Sequence, residues 1–169
     1  VDIAGVVGNH DDLRDLVERF DLPFHHVSHE GVSRREHERE VANIVDGYAP
    51  DLVVLAKYMR VLSPEFVARY PERMLNIHHG FLPAFVGARP YAQAFARGVK
   101  IIGATAHFVT DDLDEGPIVT QDVIPVGQDW SAKEMALGGR DVEKIVLARA
   151  IGLVAQGRVF VTGNRTVVL

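Results

Sequence analysis

A chain of 169 residues, 47% apolar and 24% charged, has the composition of one globular domain with a sizeable core. Its formal net charge of −5, with no block of like charges, argues against a general nucleic-acid or membrane surface. The lack of cysteine excludes disulfides, thiolate nucleophiles and Cys-based zinc sites, and no apolar run reaches the roughly 18 residues of a membrane helix.

In chain order, Val1 to Gly8 is apolar and runs into Asn9-His10, the pattern of a buried strand entering a turn. A strand that starts at once is expected to continue a chain whose beginning lies upstream. Leu13, Leu16, Val17 and Phe20 fall at i, i+3, i+4 and i+7 of a helix that Asp11 or Asp12 can cap. Phe24 to Ser28 is a short strand. Ser33 and Glu36 then form a capping box for a charged helix whose inner face is Val41, Ile44, Val45 and Tyr48. Leu52 to Ala56 is an unbroken apolar run, as in a strand covered on both faces.

Lys57 to Leu62 reads as a loop, and Ser63-Pro64-Glu65 opens a short helix with Pro in its first turn. Met74 to Ile77 is the next strand. Arg89-Pro90 starts a helix that Gly98 ends, a long strand covers Ile101 to Val109, and Ile118 to Val126 returns as another. Ser131 and Glu134 make a second capping box, for a helix that Gly138-Gly139 is expected to break. Asp141 to Ala155 is then a separate apolar helix packed on the sheet. Arg158 to Leu169 reads as two short strands about Gly163-Asn164. Strand and helix alternate in the α/β rhythm, with no linker or domain boundary.

Two stretches carry chemistry. Asn76-Ile77-His78-His79-Gly80-Phe81-Leu82-Pro83 follows one strand and Asp111-Asp112-Leu113-Asp114-Glu115-Gly116-Pro117 another. In an open parallel sheet, ligands gather at the carboxyl ends of strands. Asn76 and His78, two residues apart, point to one face. They are either a polar pair satisfying local backbone groups or two donors converging on one oxygen, each then worth roughly 100- to 1,000-fold in rate. His79 faces the other way if the strand continues, and His25, His26 and His29 are loosely spaced, so no metal site is expected.

In the acidic stretch, Asp112 and Glu115 suit a solvated turn and Asp114 an inward carboxylate that would pair with His78. His107 suits either a site or a satisfied core position. Gly103-Ala104-Thr105-Ala106 leaves room for a ligand or another backbone. Gly87-Ala88-Arg89-Pro90 is a candidate for phosphate binding at a helix N-terminus. No dinucleotide fingerprint, P-loop or serine nucleophile elbow is present.

Asn76-Ile77-His78, Phe81-Leu82-Pro83 and the run from His107 to Pro117 resemble the signature of the folate-dependent formyltransferase superfamily. The resemblance implies a three-layer, Rossmann-like α/β fold with a mostly parallel sheet and helices on both faces. It also implies a catalytic set of Asn76, His78 and Asp114. Met59, Arg60, Val61 and Leu62 would hold the pterin ring, with His79, Phe81, His107 and Asp111 as further substrate contacts. Asn76 to His79, Gly87 to Tyr91, Gly139 to Lys144 and Gly163 to Thr166 resemble the formyltetrahydrofolate deformylase family more narrowly. Glycinamide ribonucleotide formyltransferases usually carry Pro in place of His79, and deformylases generally carry Ser in place of Gly80. Residues 1–169 are expected to form one catalytic domain, incomplete at its N-terminus and without that family's ACT domain and first strand.

The implied reaction is hydrolysis of 10-formyltetrahydrofolate to tetrahydrofolate and formate, supplying purine synthesis and balancing the one-carbon folate pool. A cytoplasmic homo-oligomer is expected, with no permanently bound cofactor and no nucleic-acid or membrane partner. The alternatives are formyl transfer to an amine such as glycinamide ribonucleotide, a non-catalytic folate-binding module and a metal-dependent hydrolase. The net charge of −5 weighs against an aminoacyl-tRNA acceptor.

Overall fold

The computed structural model describes residues 1–84 and 89–169. Gly87 and Ala88 of the candidate phosphate motif lie outside the described residues. β1 (Val6–Gly8) and β2 (Phe24–His26) pair in parallel. A four-stranded sheet follows the order β3 (Val53–Leu55), β4 (Met74–His78), β5 (Ile101–Phe108), β6 (Ile118–Pro125). β3 and β4 run parallel, whereas β5 is antiparallel to both its neighbours. β7 (Val159–Thr162) and β8 (Arg165–Val168) form the hairpin about Gly163-Asn164. The helices are α1 (Arg14–Glu18), α2 (Arg34–Tyr48), α3 (Pro64–Val67), α4 (Pro90–Arg97) and α5 (Ala132–Ala155).

Alternation along β4 divides the core in two. Leu75 and Ile77, with Ala104, Ala106 and Phe108 of β5, pack on Val142, Val146 and Ala150 of α5. Met74 packs with Ala42 of α2, Phe66 of α3 and Tyr70. Tyr91 and Ala94 of α4 close a third cluster with Ile102 and Met135. The result is the expected three-layer α/β arrangement, with helices on both faces of a mixed sheet. Met74, Leu75 and Val146 are almost fully buried, each contributing about 1.5–3 kcal/mol.

Both capping boxes form, Ser33 with Glu36 on α2 and Ser131 with Glu134 on α5. Several expectations fail for physical reasons. The first strand is only three residues and half-buried, with Val1 and Ile3 exposed. Neither Asp11 nor Asp12 caps α1: Leu13 is its N-cap without a side-chain bond, and the Asp11 carboxylate engages Arg14 instead. β3 is not covered on both faces, since Val54 is exposed.

Most tellingly, Gly138-Gly139 does not break a helix, because α5 runs through it. A Cβ on Gly139 would stand 2.0 Å from the Tyr91 hydroxyl oxygen, so glycine serves a close approach here and not a turn. Gly139→Ala is therefore expected to cost about 1–3 kcal/mol of stability by overpacking, read from the midpoint of urea unfolding. A midpoint equal to that of the unmodified protein would contradict this packing.

Candidate active site

β4 presents Asn76 and His78 on the same side as Met74, over the α2/α3 face. His107 stands opposite Asn76 in register, and opposed residues of an antiparallel pair share a face. Asn76 Nδ2 donates to His107 Nε2 at 3.2 Å, and His107 Nδ1 donates to the Phe108 carbonyl at 2.8 Å. Both bonds are satisfied by the neutral Nδ1–H tautomer. His107 is thus a buried, partnered histidine and also part of the site.

The two motifs do not leave the sheet by one end, as a parallel arrangement would require. β5 runs against β4, so its carboxyl end lies beside the start of β4, where Val109 N–H donates to the Met74 carbonyl at 2.9 Å. The acidic loop reaches His78 by folding back over the sheet face. Gly116 permits this, since a Cβ there would sit 1.8 Å from the Phe108 carbonyl oxygen. Asp114 occupies the left-handed region (φ +58°). Its carboxylate lies 3.2 Å from His78 Nδ1 and 3.7 Å from His107 Nε2. The first is within hydrogen-bonding distance, with Nδ1–H of His78 donating to the carboxylate; the second is too long for a hydrogen bond.

The imidazoles of His107 and His78 hold the Asp114 carboxyl well below the usual carboxylate range, outweighing the cost of burial. Asp111, Asp112 and Glu115 are exposed, so one of the four acidic residues turns inwards. His78 is itself 4% exposed. With Nδ1 on Asp114, its Nε2 is buried and has no hydrogen-bond partner among the described residues. A ring nitrogen left without protein partners in a strand-end site is available to a ligand.

Asn76, His107 and Asp114 line a groove of about 490 Å³, counting its open mouth. Arg60, Val61, Leu62 and Asp111 line it as well. Met59 is not among its walls and is largely exposed. His79 and Phe81 border a smaller niche of about 210 Å³ with Gly80 and Tyr91, on the α4/α5 side. Burial, then the charges of Lys57 and His78, lower the His79 imidazole from its ordinary value.

Two further neighbours gain a role from the structure, Tyr58 and Thr105. Tyr58 lines the groove, and burial raises its phenol. Thr105 donates to the Gly80 carbonyl at 2.9 Å and accepts from Leu82 N–H at 3.0 Å, which fixes the turn after His79. In the stretch Gly103 to Ala106 the room is taken by backbone at Gly103, where a Cβ would lie 2.3 Å from the Asp122 carbonyl oxygen, and by α5 against Ala104 and Ala106. Among the described residues, no group of three or more His, Asp or Glu is placed to hold a metal ion. No helix there is long and apolar enough to cross a membrane.

Residues 1–151 match the family described as formyl transferase. The chain is 66% identical over 169 residues to the formyltetrahydrofolate deformylase of Escherichia coli O6:H1, covering all of this chain and 60% of that protein. A formyltetrahydrofolate deformylase from Pseudomonas syringae pv. tomato superposes with a TM-score of 0.96 at 49% identity, over 99% of this chain and 56% of that one. Glycinamide ribonucleotide transformylase 1 from Symbiobacterium toebii superposes with a TM-score of 0.94 at 34% identity, over 99% of this chain and 80% of that one. The chain thus spans about 60% of the length of the curated relatives it matches.

Proposed function

This chain belongs to the formyl transferase family, and on that premise we propose that it hydrolyses 10-formyltetrahydrofolate to tetrahydrofolate and formate. The observation that carries the reading is the meeting of Asp114 with Asn76 and His78, distant from it along the chain, beside one groove. Similarity of up to 66% to proteins named for deformylation supports water over an amine as the acceptor.

The pterin lies in the groove, against the backbone of the segment Met59 to Leu62, with Arg60, Val61 and Leu62 in its wall. Asn76 Nδ2 and Nε2–H of protonated His78 donate to the formyl oxygen and stabilise the tetrahedral intermediate, each donor worth roughly 100- to 1,000-fold. Water adds to the formyl carbon, the bond from that carbon to N10 breaks, and N10 departs with the proton that Asp114 has taken from the water, leaving formate. Asp114 is ionised throughout neutral pH and a poor base at rest. It first holds His78 through Nδ1–H, and takes the proton of water as charge moves onto the formyl oxygen.

Cytoplasmic location, formate supply to purine synthesis, balance of the folate pool, self-association and a single catalytic domain over residues 1–169 belong to the same proposal. Its nearest rival is transfer to an amine, favoured by the 34% identity to a glycinamide ribonucleotide transformylase. Turnover of the full-length protein in ¹⁸O-water distinguishes them. Hydrolysis places one solvent oxygen in each formate without any added amine. Formyl release that waits for an amine would establish transfer instead.

A further inference from the structure

Next to the reacting groups lies a second cluster that the hydrolysis leaves unused, with Glu143 and Tyr91 buried and Lys57 reaching in from an exposed position (57% exposed). Glu143 of α5 is 6% exposed, and both its oxygens are engaged: one accepts from the Tyr91 hydroxyl at 2.8 Å, the other from Lys57 Nζ at 2.6 Å. One carboxylate thus ties α5 to α4 and to the loop after β3. Burial and Glu143 raise the Tyr91 phenol well above its ordinary value, so it stays a neutral donor. Lys57 takes a left-handed backbone (φ +56°), unfavourable for a non-glycine residue and kept only where surrounding contacts over-determine it.

The cluster is contiguous with the site. The His78 and His79 rings lie 5.4 Å apart, and those of His79 and Tyr91 6.0 Å apart. The groove opens on the α2/α3 face of β4, while His79, Tyr91 and Glu143 stand on the α4/α5 side of the same strand end. The niche bordered by His79, Gly80, Phe81 and Tyr91 offers this second side to an acceptor when the formyl carbon is held from the groove at Asn76 and His78. An amine arriving there needs space and a carboxylate for its N–H groups. Glu143 is a buried carboxylate in that position, and its charge is already taken by Lys57. Water needs neither.

Resting on the hydrolytic reading, we infer that the Lys57–Glu143 pair, capped by Tyr91, is a specificity device that closes the acceptor side to amines and leaves the formyl group to water. Opening it lets an amine form the new bond to the formyl carbon as the bond to N10 breaks, with the proton lost by the amine passing to N10.

The test is product partition in the full-length protein, with 10-formyltetrahydrofolate as donor and glycinamide as the amine probe. Lys57→Met is expected to raise the ratio of N-formylglycinamide to formate by about 10- to 200-fold over the unmodified protein. Tyr91→Phe frees one Glu143 oxygen without stranding a charge, and raises the ratio in the same direction by less. Adding Glu143→Gln to Lys57→Met returns the products to formate, a reversal that a merely structural role would not give. Failure of both Lys57→Met and Tyr91→Phe to form the amide, with formate still released, overturns the inference alone. Amide formation undiminished by Glu143→Gln also overturns it. No formate from the unmodified protein removes the hydrolytic reading and this inference together.

Discussion

Asp114→Asn lowers kcat for formate release by about 100- to 10,000-fold while the protein stays folded. The change is nearly isosteric, and Asn tolerates the left-handed backbone that Asp114 adopts at φ +58°, so no strain is added. What is lost is the charge that grips His78 Nδ1 at 3.2 Å and receives a proton during hydrolysis. Folate affinity changes little, because the groove keeps its other walls. Stopped-flow or endpoint formate assays beside a ligand titration separate the two effects. A variant with near-normal turnover would remove Asp114 from the chemistry.

The same carboxyl links stability to pH. Its folded-state pKa is depressed by His107 and His78, so its contribution is fully present above the unfolded value, about 4 for aspartate, and is lost as pH falls through the folded one. The stability advantage of the unmodified protein over Asp114→Asn, followed by urea unfolding, is expected to shrink as pH falls below about 4. A gap that does not narrow in acid would contradict the pairing.

Asn76→Ala is the second large effect, about 100- to 1,000-fold in kcat/KM, the loss of one donor to the developing oxyanion. It also strips His107 Nε2 of its partner at 3.2 Å inside a buried cluster, which costs roughly 1–3 kcal/mol of stability. Steady-state kinetics and unfolding on the same preparation give both numbers. Kinetics unchanged alongside lowered stability would reduce Asn76 to a structural residue.

Much of this molecule was legible in local sequence. Ser33 with Glu36 and Ser131 with Glu134 announce helix starts because both partners of each box lie within one turn. Asn76 and His78 were readable as neighbours on one face because strand alternation is strict. The direction of β5 was not readable, since an apolar run looks the same whichever way it pairs. The path of the acidic loop therefore had to come from the register. Gly139 misled for a related reason: the missing Cβ that permits a turn also permits Tyr91 to touch a helix. Lys57, Tyr91 and Glu143 come from three elements, and no spacing rule joins them. Tyr91 and Glu143 do lie within the stretches that carry the family resemblance, the one signal that could have drawn attention to them.

That Asn76, His78 and Asp114 act as one unit on a single formyl group is tested most directly by a double-mutant cycle on kcat/KM. The variants are His78→Asn, Asp114→Asn and the two together. Groups that work through the 3.2 Å contact are lost together, so the double variant falls no more than about 10-fold below the worse single one. Losses that multiply in full would show two residues acting independently, and would contradict the assignment.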